Sequence, residues 1–403
     1  MGGPCWHTKV EWSDGRGFCT NGRVAFVLML PVTGDPDSSA IPGATGREID
    51  AARELGVNVV QIDDGWQQGV TSNSALASEK GGFWEGFWNA DPNFWAPHPE
   101  RLPNGLEPLV ERLRAAGMGL GLWFAPDSWE DFANWERDVD TILGFYRDYG
   151  IEHIKIDGVK ARTDTSLRNL KSFFDGVLAG SDGNVVFDLD VTVEVRPGYF
   201  GAMQVGPLFV ENRYTDFHRY WPHQTFRNQW HLAKWIDPKR LRMEFLNHKR
   251  NTNLYADDPL APEHYDPSTL FATVMFANPL GWFEVTNLPE GDRESASKLV
   301  TTWKTHRDEL FSGMILSVGS APDGFSYTGM VSVDRTGTSG YALLFRFLDA
   351  ESGRLRIPGL DLDGRRWDVL SANCDAQIAS DGADLEVTLS DELGYVFARF
   401  DSP

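Results

Sequence analysis

Short apolar runs alternate with stretches of helical periodicity along the first three quarters of the chain. Eight runs read as strands, and nearly all of them end in polar or aromatic residues: Val24–Leu30, Val57–Asp64, Gly119–Phe124, His153–Asp157, Val185–Asp190, Leu208–Asn212, Arg242–Asn247 and Gly281–Phe283. Helical periodicity lies between them, over Arg47–Leu55, Leu106–Ala116, Trp135–Tyr149, Ser166–Leu178, Pro222–Ile236 and Pro267–Phe276. Regular alternation of strand and helix predicts βα units and a parallel sheet.

The spacing of the strand ends favours a closed barrel. From Trp123 onward the ends recur at intervals of 22 to 36 positions, which is the length of a βα unit. Eight such units predict an α/β protein with a (β/α)8 TIM barrel. A doubly wound open sheet is the structural alternative, but no Gly-x-Gly-x-x-Gly motif follows the first strand.

The pattern changes after about Phe311, where short alternating runs are broken by Gly, Asp and Ser. These runs predict a small C-terminal antiparallel β domain, with strands inside the following segments: Ser317–Ser332, Gly340–Phe347, Gly353–Pro358, Trp367–Ser371 and Leu385–Phe400. The predicted domains are therefore a barrel over residues 1–311 and a β-sandwich-like domain over residues 312–403. No low-complexity linker separates them, so we expect firm packing between the two.

Composition narrows the range of partners. The 403-residue chain carries a formal net charge of −21, which argues against nucleic acid and against an anionic membrane as partners. No stretch approaches about 18 uninterrupted apolar residues, so no membrane span is expected. The three cysteines lack metal-ligand spacing and read as ordinary thiols, although a Cys5–Cys19 bridge stays open. A cytoplasmic protein is the expectation, or a secreted one if a leader has been removed.

The strand that ends at Ile62 is followed by Asp63, Asp64, Gly65 and Trp66, an acid pair beside a large aromatic ring. In a barrel the active site lies at the carboxyl ends of the strands. Carboxylates suit the hydroxyls of a sugar, and an aromatic ring suits its C–H face. Other strand ends and the loops after them add more polar candidates: Lys155, Asp157, Asp188, Asp190, Glu211, Asn212, Asn247, Glu194, Arg196, Arg213 and Asp216.

Motifs for other chemistries are missing from the sequence. It contains no HExxH motif, paired histidines or three-ligand set for a catalytic metal, no P-loop, and no Gly-x-Ser-x-Gly elbow. We therefore expect neither a metal nor a cofactor. What remains is a pocket rich in carboxylates and aromatic rings, and two facing carboxylates are the minimal equipment for glycoside hydrolysis.

Four segments resemble the clan of glycoside hydrolase families 27 and 36, the melibiase-type α-galactosidases and their relatives. They are Leu55–Gln67, Leu102–Leu109, Gly117–Pro126 and Ile151–Asp157, which occur in family order, and a weaker trace continues to about residue 285. The resemblance implies a retaining α-galactosidase, with Asp157 as nucleophile at the end of strand 4. It also implies that Asp63, Asp64, Trp66, Trp123 and Lys155 contact the terminal sugar.

The resemblance is weaker around the second carboxylate. The loop after strand 6 lacks the Ser-Asp pair of family 36, and its Arg213-Tyr-Thr-Asp216 stretch is closer to the family 27 pattern. Asp216 is therefore the predicted acid/base, with Glu211 as its rival and Arg213 as a neighbouring sugar contact. Arg196 is the counterpart of a family arginine, and Asp188 and Asp190 are expected at the barrel mouth. An ion pair to Arg213 or Arg219 is the structural alternative for either acid.

These departures leave the substrate open. An α-N-acetylgalactosaminidase, another α-hexosidase and a transglycosylase of the raffinose-synthase type are alternatives to an α-galactosidase. A non-catalytic carbohydrate-binding barrel and metal-dependent chemistry on a phosphorylated sugar are alternatives from other classes. The expected partner is a carbohydrate, and the sequence leaves the oligomeric state open, a homo-oligomer included.

Overall fold

The computed structural model of the chain describes residues 24–30, 46–74, 77, 81–191, 204–211, 218–351, 353–357, 360, 362–382 and 384–402. Eight parallel strands close into a barrel in the order β1 to β8, and β1 pairs with β8. The strands are β1 (Val27–Leu30), β2 (Val59–Ile62), β3 (Gly119–Phe124), β4 (His153–Ile156), β5 (Val186–Asp190), β6 (Leu208–Phe209), β7 (Leu241–Phe245) and β8 (Asn278–Trp282). The predicted (β/α)8 barrel is confirmed.

The helices lie outside the barrel, and their bounds largely follow the predicted ones. They are α1 (Gly46–Leu55), α2 (Phe87–Ala90), α3 (Glu107–Ala115), α4 (Trp135–Tyr149), α5 (Asp164–Gly180), α6 (Pro222–Leu232), α7 (Pro267–Ala272) and α8 (Glu290–Ser312). Short 3₁₀ turns cover Pro238–Arg240, Thr252–Leu254, Pro262–His264 and Val285–Asn287. None of the described helices is long and apolar enough to cross a membrane.

Helix α8 was not among the predicted elements. Its buried side chains nevertheless form a helical stripe: Leu299, Val300 and Trp303 follow Ala296 by three, four and seven residues, and Leu310 lies two turns further on. The many charged and polar residues between them hide this stripe in the sequence. The predicted division between residues 311 and 312 falls at the end of this helix.

After α8 the chain forms two antiparallel sheets, as the alternating runs predict. One sheet has the order β13-β16-β11-β10-β9 and the other β12-β15-β14. The strands are β9 (Met314–Gly319), β10 (Tyr327–Val333), β11 (Gly340–Arg346), β12 (Arg354–Arg356), β13 (Arg366–Ala372), β14 (Ala376–Asp381), β15 (Asp384–Leu389) and β16 (Gly394–Asp401). Apolar residues between the two sheets, such as Val331 and Leu385, form a second small core.

The main core runs without a break from the barrel into the first C-terminal sheet. It includes Trp303 of α8 together with Tyr341, Phe345 and Phe397 of the sheet. The Tyr341 and Phe397 rings stack with centroids 5.7 Å apart, and the His306 ring of α8 contacts both. Helix α8 is therefore shared by both domains, and it fixes the sheet against the barrel.

Candidate active site

Three of the carboxylates predicted at the strand ends, Asp63, Asp157 and Asp190, lie around Lys155 inside the barrel. Lys155 lies on β4 and Asp157 directly follows the strand, two positions later, so alternation along the chain directs both side chains to the same side. The Lys155 ammonium Nζ lies 3.2 Å from Asp63 Oδ1 after β2 and 3.2 Å from Asp190 Oδ2 on β5. Lys155 of β4 thus links the end of β2 to β5, and Trp123 of β3 reaches the same group through Asp157.

Lys155 is 2% exposed, so its charge depends on these neighbours. Burial alone would lower the pKa of its ammonium, but the carboxylates of Asp63, Asp190 and Asp157 outweigh burial and raise that pKa above its ordinary value. The ammonium also lies 4.8 Å from the centroid of the Trp282 ring, within cation–π range. A permanent positive charge therefore stands at the centre of a group of carboxylates.

The Asp157 carboxylate is fixed by two donors. Trp123 Nε1 donates to its Oδ2 at 3.2 Å, and the Gly158 backbone N–H donates to its Oδ1 at 2.6 Å. Gly158 has a φ of 65°, a conformation that favours glycine, and a Cβ there would lie 3.0 Å from the Trp84 ring. Glycine at position 158 therefore allows the turn that presents its N–H to the carboxylate of Asp157.

Asp63 and Asp64, adjacent in sequence, have different surroundings. Asp63 pairs with Lys155, whereas Asp64 Oδ1 accepts a hydrogen bond of 2.6 Å from Gln67 Nε2 and its Oδ2 accepts one from Thr71. Burial raises the pKa of Asp64 to about 6, and the charges of Asp63 and Asp157 add to the increase. Asp64 therefore organises the loop after β2 as well as facing the acid cluster.

Trp66 and Trp123 are both buried, but Trp123 contacts Asp157, whereas Trp66 contacts other core residues. Trp66 is 0% exposed, its Nε1 donates to the Trp123 carbonyl at 2.8 Å, and its ring packs against Trp95 and Phe145. This packing favours a core role for Trp66 over a sugar contact, because its ring and its Nε1 are both held by neighbouring protein groups. Trp66 instead supports the strand end from which Trp123 reaches Asp157.

Asp188 also differs from its expected place at the mouth. Its Oδ1 accepts hydrogen bonds from Arg242 Nε at 3.0 Å and from Arg242 Nη2 at 2.7 Å, and both side chains are buried. Arg242 donates further to the carbonyls of Ala25 and Pro279, near the amino ends of their strands. Asp188 therefore lies one layer below Asp190, and its pairing favours a structural role over a contact with sugar.

The rival acid/base Glu211 follows β6 and is buried. Its Oε2 accepts a hydrogen bond of 2.9 Å from Thr225 Oγ1, and its Oε1 accepts one from Asn228, both on α6. These contacts hold the carboxylate against the helix, which favours Asp216 for proton transfer. Asp216 itself lies outside the described residues, as do Arg213 and Arg196, so their roles stay predictions. Cys5 and Cys19 lie outside them too.

Three residues of the barrel interior were not among the candidates from sequence. Arg242 is the second residue of β7, and Phe209 and Trp282 place their ring centroids 5.9 Å and 4.8 Å from the Lys155 ammonium. Each lies in a predicted strand, and alternation of side chains along that strand was the available signal. Alternation alone does not tell which face of a strand points into the barrel, because that depends on the register between neighbouring strands.

The chain resembles solved structures of glycoside hydrolases. α-Galactosidase AgaA of Geobacillus stearothermophilus, of family 36, crystallised with 1-deoxygalactonojirimycin, superposes with a TM-score of 0.66 at 15% identity, over 96% of this chain and 56% of that one. The α-galactosidase of Lactobacillus brevis gives 0.63 at 13% identity, over 94% of this chain and 55% of that one. The fold is that of the family 36 α-galactosidases. This chain spans about half the length of those two proteins.

A neighbour of similar size is an α-amylase from Anoxybacillus, whose crystal structure is described as giving insights into a new glycosyl hydrolase subclass. It superposes with a TM-score of 0.61 at 13% identity, and the match covers 96% of this chain and 99% of that one. The sequence matches no protein-family model and no curated protein. The predicted resemblance to the clan of families 27 and 36 is therefore confirmed by the α-galactosidase structures, at the level of the fold.

Proposed function

We propose that this protein is a retaining α-glycosidase that hydrolyses terminal α-galactosides. The observation that carries the proposal is the position of Asp157, which is held by Trp123 and Gly158 beside a lysine that bridges Asp63 and Asp190. One oriented carboxylate next to a fixed cation is suited to nucleophilic attack, and further carboxylates around it are suited to binding hydroxyl groups. The shared fold with family 36 α-galactosidases supports the same reading.

In the first half of the proposed reaction, Asp157 attacks the anomeric carbon of the bound galactoside. The bond from that carbon to the leaving oxygen breaks, and the carboxylic acid of Asp216 gives its proton to the leaving oxygen. The product is a β-linked glycosyl ester on Asp157. Lys155 favours the ionised form of Asp157 before attack, because its positive charge lies close by.

In the second half, the Asp216 carboxylate takes a proton from water as the water oxygen attacks the anomeric carbon. The ester bond breaks, the Asp157 carboxylate is restored, and galactose leaves as the α-anomer. Two inversions give retention, which requires about 5–5.5 Å between the two carboxyl groups. That separation stays a prediction, because Asp216 lies outside the described residues.

The test is a panel of aryl α- and β-glycosides, with NMR of the first-formed anomer. We expect turnover of the α-galactoside and release of α-galactose. Release of the β-anomer first would contradict the retaining mechanism, and binding without turnover would favour a carbohydrate-binding barrel. Asp157→Ala should abolish turnover, whereas Asp140→Ala, an exposed carboxylate on α4, is the control and should not.

A second candidate is hydrolysis of α-glucosidic bonds. It is favoured by the α-amylase from Anoxybacillus, which matches this chain over almost its whole length. The same panel separates the two, since an aryl α-glucoside and a maltooligosaccharide would then be the better substrates. Adding an acceptor sugar to the galactoside assay detects transglycosylation, in which a sugar hydroxyl rather than water attacks the glycosyl ester.

A further inference from the structure

Three aromatic side chains lie on the loops after β2 and β3, and the chemistry above does not use them. Phe83 and Trp84 lie on the loop after β2, and Trp129 lies on the loop after β3. Phe83 and Trp129 are each 44% exposed, while Trp84 is partly buried against the core. We call Phe83, Trp84 and Trp129 the aromatic wall. Exposed large rings that cluster on one surface indicate a binding site more often than isolated ones do.

The aromatic wall begins next to the proposed nucleophile. A Cβ at Gly158, the residue after Asp157, would lie 3.0 Å from the Trp84 ring. A Cβ at Gly86 would lie 3.8 Å from the Trp129 ring, so Trp129 covers the turn two residues after Trp84. Trp84 therefore lies beside the residue that follows Asp157, and Trp129 lies beside the turn that follows Trp84.

A buried carboxylate fixes the two loops to each other. Asp127 Oδ1 accepts hydrogen bonds from the Gly86 N–H at 2.6 Å and from the Trp129 N–H at 3.2 Å. The Asp127 backbone N–H donates in turn to Asp138 on α4 at 2.9 Å, and Trp88 Nε1 donates to the same carboxyl group at 2.9 Å. Because both loops share one buried anchor, Trp84 and Trp129 keep a fixed relation to each other.

The backbone around Trp129 is unusual. Glu130, Asp131 and Phe132 have φ angles of 48°, 61° and 61°, three successive non-glycine residues in the left-handed region. Such strain persists where surrounding structure over-determines it, and it occurs preferentially at functional sites. Here it buries Phe132 completely and leaves Trp129 facing solvent.

The loop after β4 forms hydrogen bonds with both of these loops. Arg162 Nη1 donates to Glu85 Oε2 at 3.0 Å, and Thr163 Oγ1 donates to Asp131 Oδ1 at 2.7 Å. The loops after β2, β3 and β4 are therefore cross-linked around the aromatic wall. Glu85 and Arg162 add charged groups at its rim that can hydrogen-bond hydroxyl groups.

We propose that the aromatic wall is the subsite for the leaving group, and that its occupant is the sugar ring to which galactose is linked. The proposal rests on the proposed function, because it uses Asp157 as the reacting group. A pyranose or furanose ring offers an apolar C–H face to an aromatic ring and hydroxyl groups to charged neighbours at its edge. The wall provides the rings, Glu85 and Arg162 provide the charged groups, and the Trp84 ring lies next to Gly158. The enzyme should therefore favour galactosyl oligosaccharides over galactosides with small leaving groups.

The test compares two substrates that share galactose and differ in the leaving group. Raffinose places a sugar on the wall, whereas α-galactosyl fluoride places a single atom there. For Trp129→Ala we expect roughly a tenfold loss of kcat/KM on raffinose and no change on the fluoride, because one stacking contact is removed. Trp129→Phe should recover most of the raffinose activity, since it restores a ring.

Trp235→Ala is the matched control, because Trp235 is 82% exposed and lies just after α6, away from the pocket. Equal losses on both substrates, or no loss on raffinose, would overturn the proposal. A change of oligomeric state in Trp129→Ala by light scattering, with unchanged kinetics, would overturn it in favour of a contact between copies. Failure of the parent protein to cleave α-galactosyl fluoride is a different result, and it would reject the proposed function itself.

Discussion

At the scale of single residues, Lys155 shows how burial and charge combine in this site. A buried ammonium is unfavourable unless carboxylates compensate for the lost water. Asp63, Asp190 and Asp157 provide that compensation, and the same contacts hold three acidic groups together around the pocket. Stability and proposed catalysis therefore depend on the same lysine.

Replacing Lys155 by Met should reduce kcat/KM on an aryl α-galactoside by about 10²–10³-fold, the range found when one electrostatic partner is removed from an active site. The cause is the loss of the cation beside Asp157, which also leaves three carboxylates repelling one another. Lys171→Met, an exposed lysine on α5 that pairs with Asp175, is the control and should leave activity unchanged. Comparable activity in the two variants would contradict the assignment of Lys155 to the site.

The raised pKa of Asp64 predicts that the free energy of unfolding depends on pH. Its pKa is about 6 in the folded protein and 3.8 in the reference state, so the folded state binds more protons between these values. The free energy of unfolding should therefore fall as pH rises from about 4 to 6, by at most about 3 kcal/mol from this group. Above pH 6 the ionised, buried carboxylate destabilises the fold.

The measurement is urea unfolding at pH 4, 5, 6 and 7 for the parent and for Asp64→Asn. An asparagine can still accept from Gln67 and donate to Thr71, but it does not titrate. The variant should gain stability relative to the parent as pH rises through this range. Parallel pH profiles for the two proteins would show that Asp64 has an ordinary pKa.

At the scale of elements, the pair of Asp188 on β5 and Arg242 on β7 ties strands across the barrel interior. Arg242 also donates to the carbonyls of Ala25 and Pro279, so one side chain links the amino ends of several strands. The candidate active site lies at the carboxyl ends of the strands. Asp188 and Arg242 lie below it in the barrel and link the strands to one another. Barrel interiors are filled by such layers of side chains.

Arg242→Met should lower the free energy of unfolding by about 3–5 kcal/mol, because it leaves Asp188 buried without its cation. The double variant Arg242→Met with Asp188→Leu should recover most of that loss. Arg147→Met, an exposed arginine on α4, is the control for the charge change. A double variant no more stable than Arg242→Met would contradict the structural role given to Asp188.

Elements also show how far the sequence predicts this fold. The eight barrel strands and six of the helices follow from apolar runs and helical periodicity, because each is a local pattern. Helix α8 was missed because its apolar stripe is sparse. No local pattern indicates the burial of Trp66, because it depends on Trp95 and Phe145, which are distant in sequence.

At the scale of the whole molecule, the barrel and the C-terminal sheets share α8 and a continuous core. We therefore expect one cooperative thermal transition, with equal calorimetric and van't Hoff enthalpies. Tyr341→Ala in β11 removes a ring stacked on Phe397 and should lower the temperature of that single transition, while Trp235→Ala should not. Two separate transitions, with Tyr341→Ala shifting one of them, would show that the domains unfold independently.

The sequence by itself determined the barrel, the antiparallel sheets and the set of polar residues at strand ends, because these depend on periodicity and on the order of segments. The tertiary structure decided which of those residues meet. Lys155 joins Asp63 and Asp190, whereas Asp188 turns to Arg242 and Glu211 to α6. Strand register and loop anchoring set these partners through long-range contacts, and such contacts leave no local pattern in the chain.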